Sequence, residues 1–348
     1  MYSLLSLILF GVTSCDDSFV YEKEGDCTPK IQFIFKKHRQ ALHSVPGRES
    51  DVFYSTVGSV HVFVYDAETG SLVMEKYADT DQLQSESELK IGTGSDRCFM
   101  PVDLEPGKYR IVAWCGLNNN DENNAFQLLN QSRGTDYTHC IVKRDNTNGN
   151  PKNETKYDAV YHGCVQTIEI TYDAQNTQII PVELTKDNND IAVWVQHTSA
   201  NFNDGDYEVV YTDANGTMKF EDNAMDANSS LEYHPHTTYL LSSDTEYNGS
   251  TVSSGALVAH ISTSRLMAAH QNDARLEVRT KDGDVVYSIP FIKYVLQMQT
   301  LTNNEQYYLD CEDTYNCSFY LTGLNEAWVA SRIIINNWVV VPRQQDNI

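Results

Sequence analysis

Leu276-Glu-Val-Arg-Thr-Lys-Asp-Gly-Asp-Val-Val-Tyr287 is the stretch on which the class of this chain turns. Leu276 and Val278 alternate with Glu277 and Arg279, the period of two expected of a strand with one buried and one wet face. Asp282-Gly283 then supplies the positive φ angles of a tight turn, and Val285-Val286-Tyr287 runs back. The segment is an antiparallel hairpin. Val62 to Tyr65 followed by Glu68-Thr69-Gly70 repeats the grammar.

Moving outward, similar runs bounded by Gly, Asn and Asp recur along the whole chain. They are Lys30 to Phe35, Val57 to Tyr65, Lys108 to Trp114, Val165 to Tyr172, Ile179 to Leu184, Ile191 to Gln196 and Tyr207 to Thr212. Gln306 to Leu309, Ser318 to Leu321 and Arg332 to Val341 complete the set. No parallel βαβ unit is visible, so the spacing predicts antiparallel β-sandwiches. Leu257 to His270 and Ala125 to Ser132 are read as short helical bridging pieces. His38 to Asp51, Asn118 to Asn124 and Asp145 to Lys156 are read as loops. The polar segment Lys186-Asp-Asn-Asn-Asp190, between two strand signals, marks the break between an N-terminal sandwich over 30–186 and a C-terminal one over 187–348.

Composition sets the function classes. With 348 residues, 41% of them hydrophobic, the chain can bury two cores. Its 25 Lys and Arg stand against 48 Asp and Glu, a formal net charge of -23 that repels phosphate backbones. Nucleic-acid binding is therefore excluded as an expectation.

Met1 to Ser14 reads MYSLLSLILFGVTS, an apolar segment shorter than the roughly 18 to 20 residues of a membrane-spanning helix. It is predicted to be an export signal. Val12-Thr13-Ser14-Cys15 resembles a bacterial lipobox, which would leave Cys15 acylated, and 15–29 would be a linker to the first strand. Asp16-Asp17-Ser18 resembles the short acidic signal that sends lipoproteins of Bacteroidetes to the outer surface. The first 14 residues hold no Lys or Arg, where an export signal has a basic start, which allows a start upstream.

Catalytic signatures are sparse. The sequence contains no Gly-x-Ser-x-Gly elbow, no P-loop and no His-Glu-x-x-His. Asp204 with Asp206, or Glu312 with Asp313, has the composition of a glycosidase pair, yet among 48 carboxylates such pairs arise as solvated surface. Asn203-Asp204-Gly205-Asp206 reads as a turn rather than a calcium loop, and His234-Pro-His236 lacks further ligands at recognisable spacing. No metal, cofactor or enzyme activity is expected. Six Asn-x-Ser/Thr sequons, at Asn130, Asn153, Asn215, Asn228, Asn248 and Asn316, are read as chance in an Asn-rich chain. Of eight cysteines none forms a Cys-x-x-Cys pair, while Cys311 and Cys317 can close a small loop worth about 2 kcal/mol if oxidised.

Several segments together resemble the fimbrillin-A-associated anchor proteins, lipoproteins that tether Bacteroidetes fimbriae. Besides the lipobox they are Lys30 to Phe35, Val57 to Gly70, Leu104-Glu-Pro-Gly-Lys-Tyr-Arg-Ile-Val-Ala-Trp-Cys-Gly116 and Pro181 to Lys186. In the second half they are Asn189 to Val195, Ser264-Arg-Leu-Met267, Tyr308-Leu-Asp-Cys-Glu-Asp-Thr-Tyr-Asn316 and Ile333 to Val341. The sequence departs from the family pattern at Lys186 and Cys311, where Arg is usual, and at Asn337, where Gly is usual. A private Cys311–Cys317 bridge would suit the departure at Cys311.

The resemblance implies two tandem transthyretin-like sandwiches without an active site, lipid-anchored in the outer membrane through Cys15 and exposed at the surface. It implies fimbrial stalk subunits as partners, a fimbria fixed at its base and limited in length. Stalk subunits polymerise by strand addition, so the terminal strand, with Ile333, Ile335, Trp338 and Val340, is the candidate for donation. Stalk subunits lose an N-terminal strand to an Arg-specific protease, and Arg39 and Arg48 lie in a loop that such a protease could reach, although anchors resemble uncut forms. A surface glycan-binding lipoprotein of a polysaccharide-uptake system is the alternative. Against it, Trp114, Trp194, Trp328 and Trp338 all fall in or beside strand-like runs, which predicts core packing.

Overall fold

The computed structural model describes residues 28–36, 51–85, 97–117, 126–128, 138–142, 152–154, 156–171, 177–197, 202–222, 224, 230–247, 250–299, 303–322 and 328–340. Strands dominate. In the first half they are β1 (Lys30–Phe35), β2 (Ser59–Asp66), β3 (Leu72–Asp79), β4 (Gln84–Ser85), β5 (Cys98–Pro101), β6 (Gly107–Cys115), β7 (Phe126–Leu128), β8 (Thr138–Val142), β9 (Lys152–Asn153), β10 (Tyr161–Ile170) and β11 (Ile179–Lys186). The second half contributes β12 (Asn188–His197), β13 (Tyr207–Asp213), β14 (Thr217–Lys219), β15 (Leu231–Tyr233), β16 (Thr237–Tyr247), β17 (Ser250–Ser264), β18 (Arg275–Thr280), β19 (Val285–Pro290), β20 (Thr314–Thr322), β21 (Val329–Ile335) and β22 (Trp338–Val340). Among the described residues three short α-helices accompany them, α1 (Phe53–Thr56), α2 (Phe291–Leu296) and α3 (Glu305–Cys311).

An eight-stranded sheet runs β3-β2-β6-β10-β11-β1-β5-β4. β11 pairs with β1 along Ile179 to Leu184 but with β10 only at Thr185 and Lys186, so the sheet folds over at that strand. Ile31, Phe33, Val62, Val64, Ile111, Ile180 and Val182 from the two flanks share one core. The second sandwich packs a six-stranded sheet, β16-β17-β12-β20-β21-β22, against a five-stranded one, β19-β18-β13-β15-β9. Its core joins Ile191, Val193, Cys317, Phe319 and Ile335 to Val209, Tyr211, Leu276, Val278 and Ile289, with Phe291 and Leu309 added by α2 and α3. Pairing is mostly antiparallel, with a correction: β1–β11, β12–β20 and β15–β9 are parallel.

Residues of β2 and β6 are buried on both faces. Val60, Val62 and Val64 face the N-terminal core, whereas Phe63, Tyr65 and Trp114 belong to the cluster that includes Phe220 of the second half. A latch holds that face. The Trp114 Nε1–H donates to the Phe220 carbonyl at 3.0 Å, His162 Nε2 reaches the same oxygen at 3.1 Å, and Arg110 pairs with Glu221 at 2.9 Å. Burial pushes the His162 imidazole down to about 3. The native state therefore keeps it neutral while the unfolded chain takes up a proton near 6.5, so stability falls as pH drops from about 6.5 toward 3. Urea titrations across that window should show a shallower loss in His162→Gln, which retains a donor without titrating there. Parallel curves would count against the latch as the acid-sensitive element.

Several expectations need correction. Leu257 to Ser264 is strand, half of the long β16–β17 hairpin, whose Ser-, Thr- and Ala-rich sequence hides its pattern. Gln306 to Leu309 is helical within α3, because the Asn304 side chain accepts a hydrogen bond from the Tyr307 amide and caps the first turn. The run Arg332 to Val341 does not make one strand. Asn336 and Asn337, at φ +46° and +71°, turn it into the β21–β22 hairpin. Both predicted Gly turns stand, with Gly70 at +70° and Gly283 at +91°.

Candidate functional site

The polar segment read as a break is a buried joint. β11 ends at Lys186, β12 starts at Asn188, and Asp187, Asn188 and Asn189 are buried. Each makes specific bonds, as burial of polar groups requires. Asn188 Oδ1 accepts from the Val160 amide at 3.0 Å, the Asn189 Nδ2–H donates to the Glu312 carbonyl at 2.6 Å, and the Leu266 amide donates to Asn189 Oδ1 at 3.2 Å. Lys186 meets Asp313 at 3.4 Å. Beside them Arg265 forms two parallel bonds to Asp310, both 2.7 Å, and Gln306 donates to the same carboxylate at 3.0 Å. Asn336 donates to Glu312 at 3.3 Å, tying in the terminal hairpin. The acidic pair Glu312 and Asp313 thus has two separate structural partners.

The hairpin edge is the second feature. Two-residue turns close with a hydrogen-bonded pair, here Ile335 and Trp338, which leaves the backbone N–H and C=O of Val339 aimed at the open side. Among the described residues β22 has β21 as its one neighbour. Trp338 and Val339 are 54% and 56% exposed, an apolar edge of the kind that recruits another strand. Ile333, Ile335 and Val340 are instead buried in the core. A donated strand running through Ile333 and Ile335 would have to leave that core.

Other sequence candidates separate. Cys15, Arg39 and Arg48 lie outside the described residues. Cys311 and Cys317 are buried thiols, not a disulfide, a correction that follows from placement: one ends α3 while the other packs inside β20 between Val193 and Ile335. Asn203 donates to Asp206 at 2.7 Å in a surface turn that also holds the exposed Asp204. His234 turns to Glu208 at 2.7 Å and His236 to Thr237 at 3.0 Å, so the two imidazoles do not converge. No group of three or more His, Cys, Asp or Glu arranged to hold a metal occurs among the described residues. The Asn215 sequon is buried, its amide held by Tyr233 at 2.6 Å.

Segments distant in sequence, namely Lys186 to Val195, Ser264 to Met267, Tyr308 to Asn316 and Ile333 to Asn337, converge on this joint, and the model of the fimbrillin-A associated anchor proteins Mfa1 and Mfa2 matches residues 24–343. The chain belongs to that family. Its members are fimbrial anchor and adhesin-type proteins, structural rather than catalytic.

Among solved structures, the chain is similar to a candidate adhesin from Bacteroides thetaiotaomicron, 26% identical with a TM-score of 0.65, covering 90% of this chain and 98% of that one. A candidate polysaccharide-binding protein from the same organism shares the fold at 20% identity and a TM-score of 0.68, covering 92% and 100%. The fimbrial anchor protein Mfa2 from Porphyromonas gingivalis shares it at 16% and 0.59, covering 90% and 99%. Curated proteins give no match. Asn337 sits at φ +71°, and Asn is among the few residues with a side chain that tolerate that region.

Sequence reasoning missed the joint because it treated polar residues between strands as linker. The missed signal was the absence of Gly and Pro in Lys186 to Asp190. It also misplaced two tryptophans. Trp114 and Trp328 are buried, but Trp194 alternates with the core residues Val193 and Val195 and faces outward, and Trp338 is exposed.

Proposed function

We propose that this protein is an outer-membrane lipoprotein, displayed at the cell surface on an acylated Cys15, that fixes the base of a fimbria and limits its length. The observation that carries the reading is membership of the anchor family over residues 24–343. The lipobox Val12 to Cys15 supports the lipid, and the exposed β22 edge supports a contact with a fimbrial stalk subunit. A strand from the subunit adds to β22, with backbone bonds to Val339 holding it and Trp338 covering its side chains. Deleting the gene should leave stalk subunits made and assembled but shed, or in abnormally long fibres. Fimbriae that stay attached at normal length would overturn the proposal.

The contact has its own test. Proline is tolerated where an edge-strand N–H points to solvent, so Val339→Pro should leave the fold intact while removing the donor facing the partner. Pull-down of stalk subunits by the variant should fall at least about tenfold, the equivalent of roughly 1.4 kcal/mol. Undiminished capture with an unchanged circular dichroism spectrum would move the contact elsewhere.

A further inference from the structure

The outer face of the six-stranded sheet carries a groove of about 400 Å³ on β12, β20 and the β21–β22 turn. Register builds it. Val193, Val195, Cys317 and Phe319 point to the core, so Trp194 and Gln196 on β12 and Asn316, Ser318 and Tyr320 on β20 point outward. Trp194 lies directly beside Ser318, and Gln196 beside Tyr320. The two aromatic residues are therefore diagonal neighbours, roughly 7–8 Å apart at the backbone, with amides and a hydroxyl around them. Asn337 closes the end at the turn. The ring row continues across the sheet, from Trp194 to His260 at 6.3 Å and from His260 to Tyr239 at 6.0 Å and 23° between planes.

We infer that this groove binds a neutral oligosaccharide. Sugar rings present apolar C–H faces and a rim of hydroxyls that both donate and accept. The groove offers the complement: the aromatic faces of Trp194 and Tyr320, and the side chains of Gln196, Asn316 and Asn337, whose amides also donate and accept. No charged residue lines the groove itself. Arg332 on β21 stands over the Tyr320 ring at 6.0 Å and leaves its other face for a sugar, and a chain at net charge -23 disfavours anionic glycans overall. The volume falls in the usual range of small-ligand sites, about 300–1,000 Å³. This site is distinct from the β22 edge and stands whether or not the protein is an anchor.

Calorimetric titration of the full chain with cellohexaose, xylohexaose and mannohexaose tests it, with a heparin hexasaccharide as the anionic control. At least one neutral hexaose should bind and the heparin fragment should not. Trp194→Ala and Tyr320→Ala should each weaken that binding at least about tenfold, with Trp194→Phe within about threefold of wild type. Gln196→Ala, on an exposed strand position, provides a loss-of-binding variant that leaves the core untouched. The inference is overturned if none of the three neutral sugars binds, if heparin binds as well as they do, or if the alanine variants bind like wild type. It is equally overturned if these variants lose a purified stalk subunit while no sugar binds, which would assign the face to a protein contact.

Discussion

Replacing Cys15 with Ala should move the protein almost completely from the membrane to the soluble fraction. The apolar segment Leu4 to Val12 is too short to hold the chain as a spanning helix, and no described helix is long and apolar enough to cross a membrane. On the proposed function, attachment would rest on acyl chains at Cys15, where each buried methylene contributes about 0.8 kcal/mol, so that one chain holds weakly and two or more hold firmly. Mass spectrometry of detergent-extracted protein should find the lipid on a mature chain beginning at Cys15. Wild-type protein that is soluble and unmodified would remove the lipid from the proposed function while leaving the family assignment in place.

The second large effect is expected at the joint. Arg265→Ala removes the cation from a buried bidentate pair and leaves the Asp310 carboxylate in a site it shares with Gln306, a loss of about 3–5 kcal/mol. With an unfolding entropy of about 2.1 cal/mol/K per residue, a chain of 348 residues should melt roughly 4–7 °C lower. Arg279 is the control, since it pairs with Glu277 and Glu232 in a more open setting, and Arg279→Ala should cost no more than about 1 kcal/mol. Combining Arg265→Met with Asp310→Leu removes both charges together and should recover much of the loss, a coupling that a merely bulky arginine would not produce. Equal melting shifts for the Arg265 and Arg279 variants would show that the joint contributes little.

Much of the fold was legible because alternation and turn chemistry are local. Lys30 to Phe35 and the hairpin through Asp282-Gly283 could be read to within a residue or two, and the strand run before Glu68-Thr69-Gly70 lies within β2. β16 and β17 escaped because long paired strands gain stability from each other and need few bulky side chains of their own. α3 escaped because Tyr307 and Tyr308 favour strands, and one asparagine cap decided against that preference. The sites were harder. A Trp between two valines declares that it faces away from them, but which face is wet depends on what covers the sheet, and that is settled by residues far along the chain. Paired cysteines close in sequence suggested a bridge for the same reason: spacing says nothing of direction.

The parallel pairing of β1 with β11 has a mechanical side. The N-terminal end, where the lipid is proposed to attach, enters β1 at Lys30, and β11 leaves at Lys186 toward the second sandwich, where the polymer is proposed to attach. Tension between membrane and fibre therefore pulls these strands past one another lengthwise. All six residue pairs from Lys30–Ile179 to Phe35–Leu184 bear the load at once, whereas an antiparallel hairpin pulled from its open end would unzip one rung at a time. The buried joint passes the pull directly into β12, which is itself parallel to β20. The same geometry that folds the sheet over makes the molecule a shear coupling, resistant along the one axis on which a tethered filament would drag.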